Sequence, residues 1–159
     1  MYKIIEYPNK ILRKKVKKVE KFDKNLRNIV NEMKKILIRE NAIGLSANQI
    51  GLDVAIFIAR PKEKFYVFIN PEVKLLKKPE LKEESCLSAI TKIGLVPRYP
   101  EVKIVYQDLT GRKKRMKAKG LLAHIIQHEY DHLNGILFLD KAKKIYELKE
   151  GEEFELKGI

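Results

Sequence analysis

The apolar positions between residues 24 and 39 fall where one face of a helix would put them. Leu26, Ile29, Val30, Met33, Ile36 and Leu37 recur at the i, i+3, i+4, i+7 spacing. Asp23 stands just ahead of them, with a side chain suited to accepting the first free N–H groups. The pattern predicts an amphipathic helix capped by Asp23 and ending near Arg39, its stripe committed to the core. Upstream, residues 1–22 are short and basic and are interrupted by Pro8; they predict irregular chain with a helical turn over 11–16. Downstream the period changes. Residues 54–59 and 65–69 are β-branched and aromatic runs separated by Arg60-Pro-Lys-Glu-Lys, and 73–76 is a shorter run. Residues 102–106 and 115–118 flank Asp108-Leu-Thr-Gly111, a hairpin signal. Residues 136–139 read as a short strand, and Glu153-Phe-Glu-Leu as an edge strand in a charged tail. Small residues around Gln49, from Ala42 to Gly51, read as a loop.

One stretch conflicts with its own pattern. Residues 121–126 are almost wholly apolar, which suits a helix buried on all sides. The continuation then places His128, Glu129, Asp131 and His132 in the same dry interior, where ionisable groups are costly unless paired or bound to a metal. His128 and His132 are four apart, so on a helix their rings lie on one face, with Cβ atoms about 5–6 Å apart, and can grip one cation. Glu129 lies beside that face, placed to be acid or base for a water on the metal. Asn134-Gly135 ends the helix, glycine being at ease in the left-handed conformation. The plainer reading is a set of core histidines satisfied by hydrogen bonds. His124 extends the row by one turn; lying among Leu122, Ala123 and Ile125, it reads as a pocket wall or a support behind the ligands, not as a ligand.

At 159 residues and 45% apolar content the chain predicts a single domain, 1–159, with a core of its own. Strand clusters bracketed by helices indicate α+β: antiparallel strands packed around a central buried metal-binding helix, with an N-terminal amphipathic helix. The lone cysteine, Cys86, excludes a disulfide within the chain and fits a reducing compartment. No secretory h-region opens the sequence and no apolar run reaches membrane-spanning length, so the expectation is a cytoplasmic protein with no membrane partner. A formal charge of +13 favours a polyanionic neighbour. The basic residues are dispersed and do not alternate with aromatics, so nothing points to specific DNA; they read either as a solvated lysine-rich surface or as a face for RNA, such as the ribosome surface.

Cys86 lies in Glu83-Glu-Ser-Cys86-Leu-Ser88. A thiolate and two imidazoles make a three-ligand set with one position left for water, whose pKa the metal lowers toward neutrality. Gln49 offers an amide N–H to a developing oxyanion. Together, Gly44-Leu-Ser-Ala-Asn-Gln49, Glu84-Ser-Cys-Leu-Ser88 and Gln127-His-Glu-Tyr-Asp-His132 resemble, in order, the three signature motifs of peptide deformylases. Tyr7-Pro-Asn-Lys-Ile-Leu-Arg13, Ile69-Asn-Pro71, Leu95-Val-Pro-Arg98 and Gly120-Leu-Leu also resemble that family.

The resemblance implies hydrolysis of the formyl group from the N-formyl-methionine of nascent peptides. It implies that Cys86, His128 and His132 hold one divalent ion, Fe²⁺ first, with Zn²⁺, Ni²⁺ or Co²⁺ able to take its place. It makes Glu129 the proton carrier, with Gln49 and the Leu87 N–H facing the oxyanion. The peptide would add as a strand beside Ile43 and Gly44, its methionine side chain near Ile43, Leu87, Ile125 and His128, with His124 close by. The chain departs from the family pattern at Ala42, Ser46, Ser85, Ala89-Ile90, Ile93 and His124, and in lacking a long C-terminal helix.

Two rivals remain at this level. A zinc peptidase with a third histidine would need one where Phe138 stands, and one with a downstream glutamate would draw on Glu147 or Glu150. The other rival is a basic, metal-stabilised, ribosome-attached binding protein without turnover.

Overall fold

The structure, a computed structural model, describes residues 2–149. The first helix, α1 (Lys24–Arg39), begins where the Asp23 side chain accepts the Leu26 N–H at 3.1 Å. Its apolar stripe buries Leu26, Val30, Met33, Ile36 and Leu37. The helical turn expected over 11–16 forms slightly earlier, as a 3-10 turn at Lys10–Arg13 capped by Asn9.

Residues 42–51 are not a loop. Gly44–Ser46 form β1, and Ala47–Ile50 form a 3-10 turn closed by Gly51 at φ 84°. A three-residue strand is too short to show alternation, and here all three positions are buried. β1 pairs antiparallel with β2 (Ile56–Ala59), Gly44 opposite Ala59. The runs 65–69 and 73–76 form one long strand, β3 (Tyr66–Leu76), with an irregularity between Ile69 and Glu72. Asn70 sits there at φ 49°, its amide tied to both backbone groups of Val19. β6 (Glu101–Gln107) and β7 (Lys113–Lys119) form the expected hairpin, its turn held by Asp108 accepting from Thr110 and Arg112. The antiparallel sheet runs in the order β1-β2-β3-β6-β7.

A second antiparallel sheet was not foreseen. It comprises β4 (Glu80–Glu84), β5 (Lys92–Arg98) and β8 (Lys144–Glu147), in the order β4-β5-β8. Residues 136–139, expected to be a strand, lead instead into a single helical turn, α3 (Phe138–Lys141). There Asp140 accepts the Leu137 N–H at 2.9 Å and Phe138 turns into the core. The expected edge strand at Glu153-Phe-Glu-Leu lies outside the described residues.

Both faces of the large sheet are used. Ile56, Ile58 and Ile69 pack with α1, while Phe57, Ala59, Phe68, Val102 and Ile104 pack with α2 (Gly120–Leu133). On its other side α2 meets the small sheet, where Cys86, Val96 and Phe138 cluster. This double covering is why α2 is buried almost throughout from Ala123 to Leu133. Gly135, at φ 74°, turns the chain out of α2 so tightly that a Cβ there would lie 2.3 Å from the Arg13 carbonyl oxygen. Among the described residues no helix is long and apolar enough to cross a membrane.

Candidate active site

His128 and His132, one turn apart on α2, bring their Nε2 atoms to 3.1 Å, and Cys86 Sγ lies 3.3 Å from His132 Nε2. The three donor atoms all fall within 4.8 Å of one another. Tetrahedral ligands at ordinary Zn–N and Zn–S distances are separated by about 3.3 to 3.6 Å, so this triangle is close to the size one cation requires. All three residues are at most 1% exposed. Burial, with Glu129's charge next, pushes the Cys86 thiol far up, and burial pushes both histidines down, His132 the more strongly. Without a cation the donor set is therefore a neutral thiol and two neutral imidazoles. A divalent ion would supply the charge that favours the thiolate.

Behind the donors runs a buried chain of charges. Glu84, at the end of β4, accepts from His128 Nδ1 at 2.6 Å and from His124 Nε2 at 2.7 Å. Arg98, at the end of β5, donates Nη2 to Glu84 at 2.9 Å and Nη1 to Asp131 at 2.7 Å. Lys141 Nζ closes the series on Asp131 at 2.9 Å. Two buried carboxylates thus face the buried Arg98 and the exposed Lys141, which meets the cost of burying Glu84, Asp131 and Arg98. Burial alone would raise the Glu84 carboxyl; His128, Arg98 and His124 together hold it well below the ordinary carboxylate range. An ionised Glu84 takes the Nδ1 proton of His128 as a hydrogen bond, which leaves the Nε2 lone pair facing Cys86 and His132. His124 therefore braces His128 through Glu84: its accepting partner is Glu84, while its outer edge lines a cleft of about 300 Å³ with Leu121 and Tyr99.

Glu129 is fully buried, and neither of its carboxylate oxygens has a hydrogen-bond partner. Its Oε2 lies 4.0 Å from His128 Nε2. A Cβ on Gly44 would come within 2.4 Å of that oxygen and 2.9 Å of Ile125, so only glycine lets β1 pass this close to α2. Burial, then the charge of Glu84, raises the Glu129 carboxyl well above the usual range.

Gln49 turns its amide nitrogen inward, 3.3 Å from Cys86 Sγ and 3.1 Å from Ser88 Oγ. Its oxygen accepts from the Ser46 N–H at 3.0 Å and from Ser46 Oγ at 3.1 Å, which fixes that orientation. Leu87, next to Cys86, opens a 3-10 turn and is 6% exposed. The N-terminal segment braces both loops, with Ile5 N donating to Gln49 O and Tyr7 N to Ser88 O, each at 2.7 Å. Ile43 is half-buried in the cluster that contains Ile125.

The structure thus gathers Gln49, Cys86, His128, Glu129 and His132 at one point, with Gly44 and Leu87 alongside. Sequence reasoning assigned no role to Glu84, Arg98 or Asp131, although Glu84 and Arg98 stood inside quoted motifs. A charge within an otherwise buried segment was the available signal, and Asp131 carried it too.

A buried Cys-His-His donor set, an adjacent orphaned carboxyl and an inward-facing amide define a metallohydrolase-type centre on a two-sheet α+β scaffold. Comparison with known proteins agrees. Residues 1–147 match the family model described as polypeptide deformylase. Peptide deformylase of Dictyoglomus turgidum is 44% identical over 132 residues, covering 83% of this chain and 86% of that protein. Chloroplastic peptide deformylase 1B of Oryza sativa subsp. japonica is 41% identical over 145 residues, covering 87% of this chain but 54% of its own length, so the chain spans about half of that plant relative. Among solved structures, that of peptide deformylase from Thermotoga maritima superposes with a TM-score of 0.87 at 32% identity, covering 91% of this chain and 99% of that one. The chain belongs to the polypeptide deformylase family. Membership favours neither the peptidase nor the non-catalytic rival, and Phe138, where the peptidase needs a histidine, is a core residue against Cys86.

Proposed function

We propose that the chain is one catalytic domain for the deformylase reaction, hydrolysis of the formyl amide on the N-terminal methionine of a nascent peptide. Cys86, His128 and His132 would hold one divalent ion; a soft thiolate with two imidazoles suits Fe²⁺, and Zn²⁺, Ni²⁺ or Co²⁺ equally meet that donor set. When bound, the ion supplies Lewis acidity, lowering the pKa of a water toward neutrality. Every other part of the reaction falls to the chain's own residues. Glu129 accepts the proton of the attacking water. The water oxygen bonds to the formyl carbon, the C–N bond breaks, and Glu129 returns the proton to the leaving amine, releasing formate. The Gln49 amide and the Leu87 N–H receive the oxyanion of the tetrahedral intermediate.

β1 is the edge strand of its sheet, so a substrate backbone can pair along its outer side at Ile43 and Gly44. Ile43, Leu87 and Ile125 give the methionine side chain an apolar lining, with His124 behind it holding Glu84. A reducing, cytoplasmic setting suits the single thiolate ligand, and the ribosome surface is the natural neighbour for a basic protein acting on nascent chains.

The observation that carries this reading is the Glu129 carboxyl: fully buried and without a protein partner, it is free to hydrogen-bond to the reactants. The test is formate release from a formyl-Met peptide by protein loaded anaerobically with Fe²⁺. Turnover is expected; stoichiometric metal without formate release would overturn the assignment.

A further inference from the structure

We propose that the lysine-covered face of the large sheet, beyond the cover of α1, is a surface that docks the phosphate backbone of structured RNA without reading its bases. α1 protects this face only over β1, β2 and the start of β3, where Leu45, Ile56, Ile58 and Ile69 are buried. Past that point the register decides what projects outward. Lys74 of β3 stands opposite Lys103 of β6, which stands opposite Lys117 of β7, and all three are exposed. On β7, Lys113, Arg115 and Lys119 project to the same side as Lys117.

Six cations on this face meet two carboxylates, Glu72 and Glu101. Glu101 is already shared by Lys77, Lys117 and Lys119 at 3.3, 3.3 and 3.5 Å. Lys74, Lys103, Lys113 and Arg115 make no salt bridge with any described residue.

Like charges directly opposite one another destabilise a strand pair. Lysines on β7 alone would be ordinary protection of a sheet edge, but Lys74 and Lys103 lie on interior strands, where that purpose is absent. A polyanion removes the repulsion. Outward side chains along a strand are about 6.8 Å apart, close to the separation of successive phosphates in one nucleic-acid strand, so the β7 column can meet neighbouring phosphates one to one. None of the outward residues of β3 after its bulge, β6 or β7 is aromatic, so bases have no stacking platform and binding is sequence-independent. The choice of RNA rests on the deformylase reading, since a nascent peptide is delivered by an RNA-rich particle. The geometry suits that delivery: β7 and β1 are opposite edges of one sheet, so a protein docked through β7 keeps the Gly44 edge free.

The test uses the metal-loaded protein and a fluorescently labelled RNA hairpin, read by anisotropy across a salt series, with formate release from a short formyl-Met peptide measured in parallel. For K74E/K103E/R115E at about 0.1 M salt we expect RNA affinity to fall roughly tenfold or more and the log–log salt slope to become shallower by about 2 to 3. Formate release should be unchanged, and the melting temperature should change little, because positions 74 and 103 again face each other with like charge while position 103 gains an opposite partner in Lys117. K74R/K103R/R115K should retain RNA binding. RNA affinity unchanged in the charge-reversed variant would overturn the proposal, as would wild-type protein that binds anionic phospholipid vesicles but leaves the RNA free. Loss of formate release with RNA binding intact would count against the deformylase reading alone.

Discussion

Glu129 and Cys86 are both fully buried beside the same two imidazoles, yet their variants should fail in different ways. In the proposed mechanism Glu129 carries protons and does not coordinate, so Glu129→Ala should keep metal content and fold while kcat falls by about 10²–10⁴-fold. Cys86→Ser replaces a soft donor with a hydroxyl, so metal content and activity should fall together. Metal analysis beside formate release separates the two, and metal loss in the Glu129 variant would make Glu129 a ligand. Glu129 and the histidines were legible in the sequence because their spacing is local: His128 and His132 differ by one helical turn, and Glu129 is adjacent; Cys86, distant in the chain, was legible as the lone cysteine in a motif of its own. Glu84, Arg98 and Asp131 were not, because their pairing is decided by which strand ends reach α2, and no spacing rule records that. His124 was half legible; a buried imidazole on that face needed a partner, and only the fold names it as Glu84.

Elements built on a strong period were readable and those without one were not. α1 combined a 3.6-residue stripe with a capping aspartate, and both termini emerge as the spacing predicts. β4 reads Glu-Leu-Lys-Glu-Glu and is exposed over most of its length, so no hydrophobic alternation announces it. β8 lies in a charged stretch and is held by backbone pairing to β5. Residues 136–139 were misread because a short apolar run has the same composition in a strand and in a buried turn. Two glycines show how closely the elements meet. Gly44→Ala should displace the Glu129 carboxylate, lowering kcat with little change in metal content or melting temperature. Gly135→Ala should act oppositely, destabilising the fold by about 1–3 kcal/mol through its left-handed backbone and the Arg13 carbonyl it would strike. Its activity per folded molecule should survive, as thermal melts beside kinetics would show.

At the scale of the molecule, the ion chain Glu84–Arg98–Asp131–Lys141 binds the small sheet to α2. Because the Glu84 carboxyl is held below its ordinary value, its contribution to stability is complete above the unfolded carboxylate pKa, about 4.3. That contribution is lost as pH falls through the lower folded value. Glu84→Gln should therefore melt earlier than wild type at neutral pH, with the gap narrowing in acid; a constant gap would mean that Glu84 is not ionised in the fold. Cys86 follows the small sheet's first strand and the histidines ride on α2, so an ion shared among them closes a covalent-like loop between distant parts of the chain. The chain-entropy argument used for disulfides puts such a closure at about 4 kcal/mol. Amide hydrogen exchange should report it: loading the metal should slow exchange in β4, β5 and β8 far more than in the β6–β7 hairpin, which closes without it. Uniform slowing across both sheets would show the chain folding as one unit with or without the clasp.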